Sequence, residues 1–230
     1  LGETTDGGCQ EYICLDQKHF HKLPANLSFE QGAVIPIAFV TAWQMLIEKA
    51  KIKAGETILI HAAGSGVSVA CIQIAKMMGL HVIVTSTSSD KLHRAKTIGA
   101  DRFIDTSTTP FRESVKNLTS KAGVDVVVDH VGDPTFMDSI RVLKRGGRLV
   151  SCGATAGANL QIDWKHVFFK NIALFGSTYG TRADFAAVLR AFEGGKLIPI
   201  IDRTMKFEEL AKAHEALENR RIFGKIVLSI

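Results

Sequence analysis

The residues with the clearest chemical potential are the small ones within residues 57–76, TILIHAAGSGVSVACIQIAK. Residues 57–61 have strand-forming character, residues 62–68 are all small or short, and an apolar pattern with helical spacing follows. Small residues let backbone N–H groups approach a ligand closely, and a helix N-terminus carries partial positive charge. This strand–turn–helix arrangement therefore predicts a site for the pyrophosphate of a nucleotide.

The elements that must position this turn follow a regular order along the chain. Strand-like segments, each followed by a helical one, recur at intervals of roughly 20–25 residues, which predicts βαβ units on a parallel sheet. The six segments begin near Thr57, His81, Arg102, Val124, Arg148 and Ile172. Six strands favour an α/β doubly wound sheet in the order 3-2-1-4-5-6 over an eight-stranded barrel.

The segments outside this repeat are predicted separately. Residues 9–16 are expected to form a strand, and the capping-box sequence Ser28-Phe29-Glu30-Gln31 is expected to open a short helix that ends before Pro36. The segments expected after the sixth strand are helices over residues 183–193 and 208–221, and a last strand over residues 225–230 that rejoins the first segment.

The composition argues against several classes of protein. A chain of 230 residues with 46% hydrophobic content can bury a substantial core. Its net charge of +5 comes from lysines and arginines scattered among acidic residues, which argues against a nucleic-acid partner. No apolar run approaches the length of a membrane span, and the first residues do not resemble a signal peptide. The four cysteines therefore fit reduced thiols in a cytoplasmic protein.

Four residues near the start could suggest a metal site, but their spacing argues against one. Cys9 and Cys14 would point to opposite faces of the predicted strand, and no C-x-x-C pair is present. His19 and His21 are expected to be surface imidazoles. Zinc is therefore not expected here.

A series of motifs resembles the medium-chain dehydrogenase/reductase family over essentially the whole chain. They are, in order, GGCQEYICLD, LSFEQGAVIPIAFVTAW, HAAGSGVSVACIQIAK, KLHRAKTIGAD, GVDVVVDHVGDPTF, LKRGGRLVSCGATAG, NIALFGST and FGKIVLSI. The resemblance is strongest to zinc-type alcohol dehydrogenases and NADPH quinone reductases. It implies an NAD(P)-dependent oxidoreductase that transfers hydride between nicotinamide and a carbonyl, quinone or enone.

The resemblance also implies a domain organisation. Residues 1–38 correspond to the remnant of a β-rich, GroES-like catalytic domain, residues 39–178 to the dinucleotide-binding domain, and residues 179–230 to a segment that returns to the catalytic domain. The greater part of the catalytic domain would precede residue 1. We therefore expect this chain alone to bind coenzyme but not to turn over, because one wall of the substrate cleft would be missing.

Individual coenzyme contacts follow from the same resemblance. Residues 63–68 take the place of the family's Gly-x-Gly-x-x-Gly turn, with Ser68 where the third glycine stands. Thr41 matches a threonine beside the nicotinamide, and Lys225 matches a basic residue that reaches the pyrophosphate. The contacts implied in the turn and the strand-end loops are Gly64, Ser65, Gly66, Val67, Val131, Gly153, Ala154, Ser177 and Thr178.

The residues after the second strand favour NADP(H) over NAD(H). Ser86 stands where a carboxylate would bind both ribose hydroxyls and repel a 2′-phosphate. Ser88, Ser89 and Lys91 add hydroxyls and a cation just beyond it. NADP(H) is therefore predicted, with NAD(H) as the alternative.

One departure from the family bears on zinc. Ile37 stands four residues before Thr41, where zinc-dependent members carry a third metal ligand, and isoleucine cannot coordinate a metal. This favours the zinc-free quinone-reductase or enoyl-reductase type. His130, after the fourth strand, is expected to pack against the coenzyme rather than carry protons, so no catalytic residue is assigned.

Other functions with a glycine-rich turn fit less well. A methyltransferase would carry an acidic residue at the end of the second strand, where residues 86–89 are Ser-Thr-Ser-Ser. A short-chain dehydrogenase would carry Tyr-x-x-x-Lys, and neither Tyr12 nor Tyr179 has a lysine four residues later. A non-catalytic dinucleotide-binding sensor stays open as the alternative, since fold does not determine function.

The sixth strand is expected to form a homodimer contact. Residues 171–178 contain a run of apolar residues and neither charge nor proline. In the predicted order this strand lies at the sheet edge, where its backbone groups lack a partner. Two copies related by a two-fold axis could pair these strands, as the resembled family does.

Overall fold

A sheet of six parallel strands forms the centre of the protein. The computed structural model describes residue 2 and residues 4–230. The strands are β1 (Thr57–Ile60), β2 (His81–Ser86), β3 (Arg102–Asp105), β4 (Val124–Val128), β5 (Leu143–Ser151) and β6 (Ala173–Gly176). They lie in the order β3-β2-β1-β4-β5-β6, and each neighbouring pair is parallel. The predicted doubly wound α/β fold and its strand order are confirmed.

Helices cover both faces of this sheet. The α-helices of the described residues are α1 (Phe29–Ala33), α2 (Pro36–Trp43), α3 (Gly66–Met77), α4 (Ser89–Thr97), α5 (Phe111–Leu118), α6 (Asp133–Val142), α7 (Trp164–Lys170), α8 (Arg182–Glu193) and α9 (Leu210–Glu218). Successive residues of β1 face opposite sides, so Ile58 packs in one hydrophobic cluster and Leu59 in the other. Burial on both faces explains why the strands are runs of valine and isoleucine rather than alternating patterns.

The short helix α1 begins as the sequence predicts. The Ser28 hydroxyl accepts a hydrogen bond from the Gln31 amide at 3.2 Å, and the Ser28 amide donates to the Gln31 side chain at 2.9 Å. These two bonds form the predicted capping box, and the helix ends before Pro36. Pro36 then begins α2, which continues into a π-helical segment, Gln44–Lys49. The chain thereby enters β1 from a well-packed helix.

The strand predicted over residues 9–16 is wrong. The described part of the chain before α1 contains one 3₁₀ turn, Gln17–His19, and no strand. A strand needs a neighbour for its backbone groups and a buried face for its side chains. Tyr12 is 87% exposed and Ile13 is also exposed, so neither requirement is met here.

The C-terminal segment also differs from its prediction. The last strand, β8 (Lys225–Ser229), contacts α1 of the first segment as expected, but its hydrogen-bonded partner is an unpredicted parallel strand, β7 (Ile201–Lys206). The pairing was not predicted because the sequence of β7, IDRTMK, has little strand-forming apolar character. The helix predicted over residues 208–221 consists of a 3₁₀ turn, Phe207–Glu209, followed by α9. The domain boundaries after residues 38 and 178 stay predictions.

No helix in the described part of the chain is both long and apolar enough to cross a bilayer.

Candidate functional site

A cleft of about 1530 Å³ lies beyond the carboxyl ends of the strands. It lies where the strand order reverses, between β1 and β4, which is where sheets of this type bind ligands. The predicted site residues that line it are Gly64, Ser65, Gly66, Val67, Ser86, Ser88, Lys91, Val131 and Lys225. The predicted residues that are not part of its lining are Thr41, Gly153, Ala154, Ser177 and Thr178.

The turn between β1 and α3 is covered by side chains from elsewhere in the chain. A Cβ atom built on Gly64 would lie 2.6 Å from Lys91 Cδ, and one built on Gly66 would lie 2.8 Å from Lys225 Cδ. The two lysines therefore pass directly over backbone that has no side chains. Ser65 is the N-cap residue of α3, and its side chain makes no capping hydrogen bond within the described part of the protein. The amides of the first helical turn are thus available to an anion.

Polar groups surround the start of α4, at one end of the cleft. The Ser86 hydroxyl accepts from the Ser88 amide at 3.1 Å, and the Ser88 hydroxyl accepts from the Lys91 amide as the N-cap of α4. Lys91 Nζ donates to the Arg220 carbonyl oxygen at 2.6 Å. Burial lowers the pKa of Lys91. The neighbouring Asp202 carboxylate opposes this shift, whereas the positive charges of Arg220 and Arg94 lower the pKa further. This cluster of cations would be stabilised by an anionic group.

A buried polar network lies beneath the cleft and was not predicted from the sequence. The Ser139 hydroxyl donates its proton to Asp129 Oδ2 at 2.7 Å. The same hydroxyl lies 2.9 Å from His61 Nε2. Because its proton is already used, the hydroxyl accepts this second bond, and His61 Nε2 carries a proton and donates. His61 Nδ1 then accepts from the Thr85 hydroxyl at 2.9 Å. Burial lowers the pKa of His61 to about 4, although Asp129 opposes the shift and His130 adds to it. His61 is therefore neutral at physiological pH.

The other oxygen of Asp129 shapes the loop after β4. Oδ1 accepts from the Val131 and Gly132 amides at 3.0 and 3.2 Å and from the Thr135 hydroxyl at 2.9 Å. Gly132 has φ +96°, and a Cβ there would lie 2.2 Å from the Gly157 carbonyl oxygen, so only glycine allows this packing of the loops after β4 and β5. The carboxylate thus fixes the backbone that carries Val131 into the cleft.

Ser68, at the position of the family's third glycine, is part of a hydrogen-bond chain. Its hydroxyl donates to the His61 carbonyl oxygen at 2.7 Å and lies 2.9 Å from His130 Nε2. Because the hydroxyl proton is used, Nε2 of His130 is the donor of the second bond. Burial lowers the pKa of His130. The serine is fully buried and orients the His130 ring, which lines the cleft.

Of the predicted residues outside the cleft lining, Thr41 lies in α2 and the others follow β5 and β6. The Ser177 amide donates to the Ser151 carbonyl oxygen at 2.8 Å, and its hydroxyl donates to the Gln44 side chain at 2.8 Å. Thr41 is buried in α2, and α2 continues into the π-helical segment that begins at Gln44. Ser177 therefore links the end of β6 to the helix that follows Thr41, and the role of both residues stays a prediction.

Ile37 lines the rim of the cleft and is exposed. Across residue 2 and residues 4–230, no group of three histidine, cysteine, aspartate or glutamate side chains is arranged to hold a metal ion.

A sequence signal for the buried network did exist. His61 ends the first strand-like run and Asp129 ends the fourth, and these strands are neighbours in the order 3-2-1-4-5-6. Because carboxyl ends of adjacent parallel strands meet at one sheet edge, polar residues there come together. Ser139 and Thr85 gave no comparable signal, since a single hydroxyl within a helix or strand is common.

Comparison with known proteins gives consistent matches. A family model described as zinc-binding dehydrogenase matches residues 66–194. The chain is 30% identical to the quinone oxidoreductase of Homo sapiens, over 98% of this chain and 70% of that protein. It is 32% identical to the acryloyl-coenzyme A reductase of Metallosphaera sedula, over 99% of this chain and 66% of that protein. A crystal structure of an NAD-dependent alcohol dehydrogenase superposes with a TM-score of 0.95 at 42% identity, over 100% of this chain and 67% of that one.

The neutral state of His61 predicts a loss of stability in acid. Its pKa is about 4 in the folded protein and 6.5 in an unfolded chain, so the folded state binds fewer protons. Stability is therefore lost as the pH falls from about 6.5 to about 4, by roughly 2 kcal/mol between pH 7 and pH 5. Urea unfolding of the wild type and of His61→Gln at both pH values measures this loss. Between pH 7 and pH 5 the free energy of unfolding should fall less in the variant than in the wild type. An equal fall in the two proteins would contradict the neutral state of His61.

Proposed function

Since the chain belongs to the medium-chain dehydrogenase/reductase family and is an NAD(P)H-dependent oxidoreductase, we propose that it uses NADP(H) and reduces a quinone or an enone. The observation that carries the proposal is the bare turn before α3 with Lys91 and Lys225 lying over Gly64 and Gly66. Backbone left uncovered by side chains at two glycines, an open helix N-terminus and the Lys225 cation suit the pyrophosphate of a dinucleotide, and Lys91 adds a cation for a further phosphate.

The cleft residues fit the parts of such a coenzyme in order. The amides at the start of α3 and the Lys225 ammonium would hold the pyrophosphate. Ser86, Ser88 and Lys91 would hold the 2′-phosphate of the adenosine ribose, and His130 and Val131 would contact the part nearer the nicotinamide. Thr41, Gly153, Ala154, Ser177 and Thr178 would complete the nicotinamide end, as the family resemblance implies. The coenzyme, when bound, supplies the hydride.

The choice of NADP(H) depends on the charge around Lys91. In addition to Lys91, Arg94 lines the cleft and Arg220 lies beside it, while the residue at the end of β2 is the uncharged Ser86. A 2′-phosphate would be stabilised by these cations, and a carboxylate that would repel it is absent from position 86. NAD(H) is the alternative, favoured by the NAD-dependent alcohol dehydrogenase to which the chain is similar.

The acceptor class follows from relatives and from Ile37. The chain is similar to the human quinone oxidoreductase and to an acryloyl-coenzyme A reductase. Quinones and acryloyl thioesters both contain a carbon–carbon double bond conjugated to a carbonyl group, so both accept hydride without a metal to polarise an isolated carbonyl. Ile37 in place of a metal ligand supports the same class and a zinc-free site.

Two further features of the whole protein are proposed. All four cysteines are free thiols, two of them exposed, which supports a cytoplasmic location. A homodimer through β6 is supported by the position of this strand, which pairs with β5 alone in the described part of the sheet. Helix α7, which leads into β6, also exposes Trp164, Phe168 and Phe169.

Titration with both coenzymes tests the proposed cofactor. NADPH should bind more tightly than NADH, and Lys91→Ala should weaken NADPH binding by roughly 10- to 100-fold, the value of a charge-assisted contact, while NADH binding changes little. Lys96→Ala is the matched control, because Lys96 lies exposed on the same helix outside the cleft. Equal affinity for the two coenzymes would overturn the choice of NADP(H), and binding of neither would overturn the dinucleotide site.

Turnover assays test the acceptor class. Protein purified from its source should oxidise NADPH with a quinone or an enone faster than with a saturated aldehyde, because only the conjugated acceptors need no metal. Activity should survive prolonged treatment with a zinc chelator. Loss of activity on chelation, or a preference for saturated aldehydes, would contradict the proposal.

Sedimentation equilibrium tests the β6 dimer. The wild-type chain should have the mass of a dimer at micromolar concentration, and Leu174→Lys should weaken association at least about tenfold, because it places like charges near each other across the two-fold axis. Leu118→Lys, at an exposed position on α5, serves as the control. Since Leu174 also packs on the core, its variant must first show native circular dichroism. A monomeric wild type, or a folded and fully dimeric Leu174→Lys, would exclude this contact.

A further inference from the structure

A short segment near the C-terminus lies across the pyrophosphate turn. This strap, residues 219–225, connects α9 to β8. The Gly224 amide donates to the Gly64 carbonyl oxygen at 3.0 Å, and Ser65 and Gly224 form an isolated parallel bridge. A Cβ on Gly64 would also lie 3.1 Å from the Ile222 carbonyl oxygen. The strap therefore determines where the backbone of Lys225 lies and how the Lys225 side chain reaches Gly66.

One carboxylate outside the cleft holds this strap. The residue is Asp202, on β7. Its Oδ1 accepts hydrogen bonds from the Phe223 amide at 2.9 Å and from Arg94 Nη1 at 3.1 Å. Its Oδ2 accepts a hydrogen bond from Arg203 Nε at 2.7 Å. Its side chain is only 5% exposed, whereas those of Arg94 and Arg203 are 38% and 47% exposed. Burial alone would raise the pKa of Asp202, but these hydrogen bonds lower it below its usual value, so the group is charged at neutral pH.

Further contacts place Asp202 at the centre of this attachment. The Arg94 guanidinium lies 4.5 Å from the centroid of the Phe223 ring, which is fully buried. The residue before β7 completes the support, since the Ile200 carbonyl oxygen accepts from the Lys225 amide at 3.2 Å. Asp202 thus joins α4, β7 and the strap, yet it does not line the cleft itself.

We infer that Asp202 is a positioning residue that fixes the strap and thereby aims Lys225 across the glycine turn, which sets the affinity for the dinucleotide pyrophosphate. The inference rests on the proposed coenzyme site and adds a residue that the family resemblance did not identify. Asp202 also retains Arg94 by an ion pair.

A double-mutant cycle with ADP-ribose tests this role. ADP-ribose contains the pyrophosphate but no 2′-phosphate, so an Arg94 released by the substitution cannot compensate at that position. Asp202→Ala and Lys225→Met should each weaken binding roughly tenfold, and the double variant should bind no more weakly than the weaker single variant. A double variant whose loss equals the product of the two single losses would overturn the inference, because Asp202 would then act independently of Lys225.

A control variant separates positioning from stability. Asp101, which like Asp202 does not line the cleft, accepts from a backbone amide, that of Val82 at 2.7 Å, and from a cation, Lys76, but both of these partners lie outside the strap. Asp101→Ala should lower the melting temperature without changing the affinity for ADP-ribose. If Asp101→Ala weakened binding as much as Asp202→Ala, the effect would be one of stability, and the inference would fail.

Hydrogen exchange tests the strap without any ligand. In Asp202→Ala, the amides of Phe223, Gly224 and Lys225 should exchange at least roughly tenfold faster, while the amides of α3 keep their rates. Unchanged rates in the strap, or equal acceleration throughout the protein, would contradict the inference. Absence of ADP-ribose binding by the wild type would instead overturn the proposed function. Wild-type binding that Asp202→Ala does not alter would overturn this inference alone.

Discussion

The close contact between two lysine side chains and the two glycines of the turn before α3 is the interaction on which the cleft depends. Lys91 and Lys225 cross the backbone at Gly64 and Gly66, at distances that a Cβ atom on either glycine would not allow. The same bare backbone leaves the N-terminus of α3 open. Two cations from distant parts of the chain and the partial charge of one helix therefore lie along the same turn, and this arrangement makes the cleft suited to the phosphates of a dinucleotide.

The floor of the cleft is polar although it is fully buried, and its hydrogen bonds explain how it is stable. Asp129 accepts bonds at both oxygens, and His61 and Ser139 use both their donors and acceptors. A buried network of this kind is favourable only when each group has a partner. Here the partners include amides of the loop after β4, so the network also fixes one wall of the site. Ser68 extends the network to His130, which a glycine could not do.

The C-terminal segment completes the site from outside the main sheet. Strands β7 and β8 pair only with each other within the described residues, and their position depends on contacts with α3 and α4. Gln73 on α3 donates to and accepts from the backbone of Ile198, and Arg94 on α4 pairs with Asp202. The strap that carries Lys225 is thus attached to the same two helices whose N-termini face the cleft.

The sequence by itself determined the doubly wound sheet, its strand order, the strand–turn–helix around the glycines at 64 and 66, and the cap of α1. Each of these follows from local patterns: apolar runs, small residues after a strand, and a capping box. The tertiary structure alone decided that residues 9–16 form no strand, that β7 pairs with β8, and that Thr85, Ser139 and Asp202 have their present partners. These features depend on contacts between residues far apart in sequence. A local pattern cannot specify them, because a strand or a buried charge is stable only when its distant partner is in place.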